Sequence, residues 1–208
     1  MKIFDDKKWD INDELFENFC NTLELLDEEQ RKLVIELTKN FKSIGVESYY
    51  HYFISSFDKY IADISKNYQG KTNIFIIPLI SNNDFGKIKS STLLYYLLKS
   101  KSSDLTKRHK QKVFSVSLID TTDYNVIDNR YIEQMRSLNS RICLIDDFVG
   151  SGESAVSAAE YLVRRYNLNK DKISVVSLVS MRQGIDELIR NNYKLYTQTS
   201  QLNTANAS

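Results

Sequence analysis

Two adjacent carboxylates and a glycine-rich loop stand close together within residues 146–154. Asp146 and Asp147 follow four apolar residues, and the segment Gly150-Ser-Gly-Glu-Ser154 comes directly afterwards. A turn of this composition that leads into a helix exposes backbone N–H groups near the positive end of the helix dipole, where proteins commonly hold phosphate. Carboxylates repel phosphate, so the pair must face another part of the ligand. The pattern predicts a ligand with a phosphate at one end and sugar hydroxyls or a bound metal at the other.

The elements that position these residues follow from the surrounding pattern. The apolar run Ile142–Ile145 indicates a buried strand, and residues 155–165 indicate the helix that the loop enters. Four other segments predict strands, and two more predict helices between them: strands at 72–81, 113–119, 172–180 and 193–202, and helices at 91–99 and 185–191. Strands that alternate with helices predict an α/β fold with a mostly parallel sheet flanked by helices on both faces.

Residues 1–70 are predicted to form an N-terminal helical extension, and residues 71–208 the α/β domain. Three helices are expected in the extension, at residues 11–24, 27–41 and 48–66, and Asp27 with Gln30 resembles a capping box. The third helix has an aromatic-rich face. Such a face is typical of a packed core, and the alternative is a surface that binds a protein partner.

Composition and charge limit the classes of protein. The chain has 208 residues, 42% of them hydrophobic, and its first residues are too acidic for a signal peptide. The longest apolar run, residues 74–80, is far too short to span a membrane. The two cysteines show no spacing pattern, so both are expected to be reduced in a cytoplasmic protein.

Charge is distributed unevenly along the chain. The first seventy residues carry nine Lys or Arg against fourteen Asp or Glu, whereas the rest carry nineteen against thirteen. A basic half that holds the phosphate loop suits an anionic ligand, although acidic solvated helix faces would give the same balance. Residues 99–112 hold six Lys or Arg. They are expected to form a solvated connection, with a nucleic-acid patch as the alternative.

Other phosphate-binding or catalytic motifs fit the loop less well. Residues 150–155 satisfy a loose dinucleotide-binding pattern, but four residues separate the apolar run from the first glycine, and two carboxylates lie beside the phosphate position. No lysine follows the glycines, which excludes a Walker-type loop. Ser151 lacks the sequence frame of a nucleophile elbow. Purely structural carboxylates at a buried strand end would destabilise the fold unless hydrogen bonds satisfied them.

Residues 142–154 resemble the phosphoribosyl-diphosphate (PRPP) binding motif of type I phosphoribosyltransferases. That motif has four apolar residues, an acidic pair, two apolar residues and a small-residue loop, and only Phe148 and Gly150 depart from it. By resemblance, Asp146 and Asp147 would bind the ribose hydroxyls and act in catalysis. The loop would hold the 5-phosphate through Val149, Gly150, Ser151, Gly152, Glu153 and Ser154. Phosphoribosyltransferase-like proteins of bacterial conflict systems have variant loops of this kind.

The resemblance also assigns roles elsewhere in residues 72–200. The family's first strand ends in a loop that cradles the diphosphate, and here Lys87 and Lys89 are the candidates. A mobile lid closes over the reacting centre, and Tyr124 and Arg130 in the polar segment 120–137 are the lid candidates. Mg²⁺ is the implied cofactor. An acceptor of unknown identity is expected near residues 180–184.

Two hypotheses about function follow from these observations. The first is a cytoplasmic phosphoribosyltransferase that uses PRPP or a related sugar phosphate and Mg²⁺, and releases diphosphate. The second is a catalytically reduced module that senses PRPP or a nucleotide in a bacterial regulatory or defence assembly. A protein partner bound through the N-terminal helices, and association into a homo-oligomer, are compatible with both.

Overall fold

The computed structural model describes Phe4 and residues 11–40, 44–67 and 70–201. The chain divides into two compact units, Met1–Gly45 and Val46–Ser208. The first unit contains helices α1 (Asp13–Glu24) and α2 (Glu28–Asn40). The capping box expected at the start of α2 is confirmed, because Gln30 N donates to Asp27 Oδ1 at 2.8 Å and Asp27 N donates to Gln30 Oε1 at 3.3 Å.

The second unit begins with α3 (Val46–Asn67) and continues with the strands and helices of the sheet. In chain order these are β1 (Thr72–Pro78), α4 (Ser90–Lys99), α5 (Ser102–Arg108), β2 (Val113–Leu118), α6 (Asn129–Arg136), β3 (Ser140–Val149), α7 (Glu153–Tyr166), β4 (Ile173–Met181), α8 (Arg182–Arg190) and β5 (Lys194–Gln201). By contacts α3 groups with the sheet, whereas a domain boundary near residue 70 stays a prediction.

The five strands form one sheet in the order β2-β1-β3-β4-β5, and every neighbouring pair is parallel. The predicted α/β fold is therefore confirmed. From β1 the chain first crosses to β2 on one side and then returns to place β3 on the other side. The order of the sheet thus reverses between β1 and β3, which is where open parallel sheets commonly bind ligands.

Helices cover both faces of the sheet. Ile142 and Leu144 of β3 join a core cluster with side chains of α6, α7 and α8. The alternate residues Cys143 and Ile145 are equally buried and face the other way, because successive side chains of a strand alternate. On the sheet as a whole, α3 packs against β4 and β5, and α4 packs against β1 and β3. The aromatic face of α3 is core, since Phe53, Phe57 and Tyr60 are fully buried.

Two segments expected to be loops contain helices. Within residues 99–112, α5 forms and buries Leu105. Within residues 120–137, α6 begins at the N-cap Asp128 and buries Ile132 and Met135. Both helices have too few apolar positions to show a clear helical period in the sequence. Among the helices of the described residues, none combines the length and the apolar character that crossing a membrane requires.

Candidate functional site

The candidate site is a cavity at the carboxyl ends of β1 and β3, where the order of the sheet reverses. It has a volume of about 160 Å³. Two segments, one after β1 and one from the end of β3 into α7, supply its lining: Leu79, Ser81, Asp84, Lys89, Ser90, Asp146, Phe148, Val149, Gly150, Ser151, Gly152, Ser154 and Ala155. Parallel pairing of β1 with β3 brings Pro78 opposite Ile145, so the two segments leave the sheet side by side.

Asp146 supplies a carboxyl group to the cavity. Burial raises the pKa of this carboxyl well above its usual range, and the adjacent charge of Asp147 raises it further. Lys89 acts in the opposite direction, but its effect on this pKa is smaller. The charged form of a half-buried carboxyl without a dominant positive neighbour is stabilised most by hydroxyl donors or by a cation. Asp146 is therefore suited to the polyol or metal end of a ligand.

Asp147 contacts a different part of the molecule. Its Oδ2 accepts a hydrogen bond from the hydroxyl of Tyr49, at 3.3 Å, and Tyr49 lies in the first turn of α3. Its backbone N–H donates to Asp146 Oδ1 at 2.9 Å. Of the predicted pair, Asp146 thus lines the cavity and Asp147 is held by α3. The alternation of side chains along β3 explains this division.

The loop between β3 and α7 is built to present backbone N–H groups. Gly152 is the N-cap of α7 and has φ of +88°, in the left-handed region that glycine adopts without strain. Its carbonyl oxygen accepts a hydrogen bond from Val156 N at 2.9 Å, which closes the first helical turn. The first N–H groups of a helix have no partner inside the helix, and the dipole adds partial positive charge there. The hydroxyl-bearing residues Ser151 and Ser154 line the same cavity, so the arrangement can hold a phosphate.

Glu153 lies outside this cavity lining, although the resemblance grouped it with the loop. It lines a separate, larger groove of about 730 Å³ that runs along α7 with Asn82, Tyr161 and Arg164. Its backbone N–H stays at the loop, where it donates to Ser151 Oγ at 3.5 Å. A role for Glu153 in binding a ligand stays a prediction.

Gly184 of α8 packs directly against the loop. A Cβ atom at Gly184 would come within 2.4 Å of the carbonyl oxygen of Gly150 and 2.9 Å of Val149 Cγ1. A Cβ atom at Gly152 would in turn come within 2.9 Å of the carbonyl oxygen of Gly184. Real Cβ atoms do not approach other atoms so closely, so both glycines are required for space. The loop therefore packs directly against the backbone of α8.

The segment after β1 is held mainly by side chains. Asp84 accepts hydrogen bonds from Lys87 Nζ at 2.9 Å, from Lys89 Nζ at 3.1 Å and from Ser81 Oγ at 3.0 Å. These donors, the lysines first, lower the pKa of Asp84 far below its usual range. Of the two candidates for diphosphate binding, Lys89 lines the cavity, whereas Lys87 is exposed and also donates to the carbonyl oxygen of Asn83.

The two lid candidates occupy different environments. Tyr124 is fully buried, and its hydroxyl donates to the carbonyl oxygen of Pro78 at 2.7 Å and accepts from Ile80 N at 2.9 Å. These two hydrogen bonds fix the backbone where the segment after β1 begins. Arg130 is exposed in the first turn of α6 and pairs with Asp128, with 2.8 Å between Nη2 and Oδ2. A lid role for either residue stays a prediction.

The region expected to receive an acceptor, residues 180–184, is buried at its two ends and exposed at Arg182 and Gln183. Ser180 is buried, and its hydroxyl lies 2.6 Å from that of Ser177. The acceptor position therefore stays a prediction. Two contributors to the site, Tyr49 and Asp84, were not predicted from the sequence. Asp84 has a detectable signal, since two lysines follow it at spacings of three and five residues, but Tyr49 is distant in the sequence and has none.

The carboxylates at the cavity are the residues that would hold the Mg²⁺ that the resemblance implies. Among the described residues, no group of three or more His, Cys, Asp or Glu side chains is arranged to hold a metal ion. Mg²⁺ is usually bound by one or two carboxylates together with substrate phosphates and water. Asp146 lines the cavity and is a ligand of that kind, whereas both carboxylate oxygens of Asp84, which also lines it, accept hydrogen bonds from lysines.

Three solved structures show distant similarity to the chain. The orotate phosphoribosyltransferase from Aeropyrum pernix is 13% identical (TM-score 0.32), and the match covers 61% of this chain and 58% of that enzyme. The APRTase from Giardia lamblia, complexed with 9-deazaadenine, is 12% identical (TM-score 0.37), covering 69% and 78%. The Helicobacter pylori xanthine-guanine-hypoxanthine phosphoribosyltransferase is 11% identical (TM-score 0.37), covering 78% and 86%.

No curated protein matches the chain. A match to a protein family covers more of the chain than the three structural similarities do. The family described as PRTase-CE matches residues 15–206, which includes the helices before the sheet as well as both segments of the cavity. This match confirms the predicted relationship to divergent phosphoribosyltransferase-like proteins. The chain belongs to the PRTase-CE family.

Proposed function

We propose that this protein binds PRPP or a related ribose phosphate in the cavity between β1 and β3, and transfers the phosphoribosyl group to an acceptor. The observation that carries the proposal is the composition of the cavity. It combines the phosphate-holding first turn of α7, the carboxyl of Asp146 and the ammonium of Lys89 in about 160 Å³. These groups match the phosphate, the hydroxyls and the diphosphate of PRPP. The proposed setting is the cytoplasm.

The chemistry requires separation of charge at the anomeric carbon. In such a displacement the bond to diphosphate breaks as the bond to the acceptor forms, through a state that resembles a sugar cation. The carboxylate of Asp146 would stabilise that cation electrostatically, and the N–H groups of residues 149–154 would keep the 5-phosphate fixed. Mg²⁺ would supply neutralisation of the diphosphate leaving group. Lys89 would add a second positive charge on the same side.

A second candidate function is a sensor that binds the ligand without transfer. One observation favours it: Asp84 pairs with both lysines of the segment after β1. That carboxylate offsets part of the positive charge that would stabilise a departing diphosphate. The sensor would keep the phosphate loop and Asp146 but release no product, and it would act through a protein partner or a second copy.

Titration calorimetry with PRPP and Mg²⁺, followed by an assay of diphosphate release with a panel of nucleobases, tests both candidates. Binding with base-dependent release supports transfer, whereas binding without release supports the sensor. Asp146→Asn is expected to lower the affinity for PRPP, and Asp171→Asn, at an exposed position next to the start of β4, is the matched control. If PRPP does not bind, or if it binds equally to Asp146→Asn, both candidates are wrong.

A further inference from the structure

Tyr49 reaches the acidic pair from a helix that precedes the sheet. Its hydroxyl donates to Asp147 Oδ2 at 3.3 Å, across a separation of 98 residues. Partial burial raises the pKa of Tyr49, and the charge of Asp147 raises it further. The hydroxyl therefore keeps its proton at neutral pH and acts as a donor. Nothing in residues 142–154 predicts this contact.

We propose that Tyr49 is a positioning residue for the pentose end of the site, which it serves by orienting the carboxylate of Asp147. The inference rests on the proposed function, because it assumes that the ligand is a pentose phosphate. Asp147 does not line the cavity itself, but its carboxylate is close enough to that of Asp146, which does, to raise the pKa of Asp146. A carboxylate has about four lone-pair sites, so the hydrogen bond from Tyr49 leaves acceptor capacity for a hydroxyl of a ligand that extends past Asp146. Fixing one oxygen reduces the rotation of the carboxylate that the ligand must otherwise restrict.

The position of α3 does not depend on the hydroxyl of Tyr49. Further along the helix, Phe53 and Phe57 are fully buried, and Ser56 Oγ donates to the carbonyl oxygen of Ser177 at 2.9 Å inside the core. Several turns of core packing therefore fix the helix. Removing a long, partly exposed hydrogen bond from its first turn should change the stability of the protein very little.

Tyr50 provides a matched control in the same turn. Its pKa is raised first by burial and then by the charge of Asp104, with Arg108 opposing. The charges that act on the hydroxyl of Tyr50 therefore belong to α5 and not to the acidic pair. Tyr49→Phe and Tyr50→Phe each remove one hydroxyl from the first turns of α3, but only Tyr49→Phe removes a donor from Asp147.

The test compares two ligands that differ in the pentose. Under the proposed function, inorganic phosphate would contact only the loop before α7, whereas ribose 5-phosphate would also present hydroxyls to the acidic pair. For Tyr49→Phe we expect the affinity for ribose 5-phosphate to fall about three- to tenfold, the range expected for the loss of one ordinary hydrogen bond, because this bond is long and only partly buried. The affinity for inorganic phosphate should stay at the wild-type value. Tyr50→Phe should leave both affinities unchanged, and calorimetry measures all of them.

A double-mutant cycle tests whether Tyr49 acts through Asp147. If it does, Tyr49→Phe should have no further effect on the affinity for ribose 5-phosphate in an Asp147→Ala background, in which the acceptor is absent. An equal loss for both ligands, an unchanged affinity for ribose 5-phosphate, or additive effects in the cycle would overturn the inference alone. Wild-type protein that binds neither ligand would overturn the proposed function, and the inference with it. Melting temperatures of all variants show whether any loss comes from unfolding.

Discussion

The two segments that share the cavity are stabilised in different ways. The loop after β3 is held by backbone packing, because Gly152 and the carbonyl group of Gly150 lie against Gly184 of α8 at distances that leave no space for a Cβ atom at position 152 or 184. The segment after β1 is held by side chains. The hydroxyl of Tyr124 forms hydrogen bonds with Pro78 and Ile80. Ser91 Oγ donates to the carbonyl oxygen of Leu79 at 2.9 Å, and Asp84 forms ion pairs with two lysines.

This difference determines how the amino-acid sequence of each segment can vary. A loop fixed by close backbone contact accepts only glycine at particular positions, so it leaves a motif in the sequence. A segment fixed by side chains from elsewhere can exchange one set of partners for another and leave no motif. It follows that the loop after β3 should be rigid and intolerant of substitution, and that the segment after β1 should depend on a few separable contacts.

The largest effect is expected for Gly184→Ala. The added methyl group must displace the carbonyl oxygen of Gly150, and overpacking of this kind costs about 1–3 kcal/mol. We expect the affinity for inorganic phosphate to fall by roughly tenfold or more. Gln183→Ala, at the exposed neighbouring position in α8, is the control. Calorimetry that gives the same affinity for the two variants would show that the loop does not rest on α8.

Tyr124→Phe is expected to have the next largest effect. Removing the hydroxyl leaves Ile80 N and the carbonyl oxygen of Pro78 without that partner inside the protein, which costs about 2 kcal/mol of unfolding free energy. Urea denaturation measures the loss. Tyr161→Phe is the control, because its hydroxyl contacts Asn125 near the surface. Equal midpoints for the two variants would mean that side chains do not hold the segment after β1.

Asp146→Asn should increase stability while it weakens ligand binding. Between the pKa of aspartate in the unfolded chain, about 3.9, and the raised pKa in the folded protein, the unfolded state releases its proton first. Wild-type stability therefore falls as pH rises through this window. Asparagine does not titrate, so we expect a gain of about 1 kcal/mol at pH 7 that disappears near pH 4. Urea denaturation at both pH values measures it, and a gain independent of pH would contradict the assigned cause.

The smallest effect is expected for Asp84→Asn. The substitution removes the negative charge that offsets Lys87 and Lys89, so the segment after β1 becomes more positive. Without Mg²⁺, we expect inorganic diphosphate to bind about two- to threefold more tightly at low salt, with the gain declining as ionic strength rises. Asp123→Asn is the control, because the carboxylate of Asp123 accepts from Asn125 N and, among the described residues, does not share in these ion pairs. Weaker binding to Asp84→Asn would indicate that Asp84 itself contacts the ligand.

The sequence predicted the parts of the fold that repeat a simple pattern. All five strands were predicted within a few residues, because buried parallel strands are continuous apolar runs between polar turns. Helices α5 and α6 were missed because each buries only one or two apolar side chains. Of the site, the loop from Val149 to Ser154 was predicted because its chemistry is local. The contact of Tyr49 with Asp147 depends on tertiary packing across 98 residues, which no local pattern encodes.

The close packing of the loop against Gly184 has a consequence for how such chains can diverge. A Cβ atom at position 152 would meet the carbonyl oxygen of Gly184, and a Cβ atom at position 184 would meet that of Gly150, so neither Gly152 nor Gly184 can change first without displacing the loop. The two positions should therefore be inherited as a unit, separated by 32 residues (184 minus 152). Glycine at both positions would identify relatives that keep this loop even where the acidic pair has been replaced.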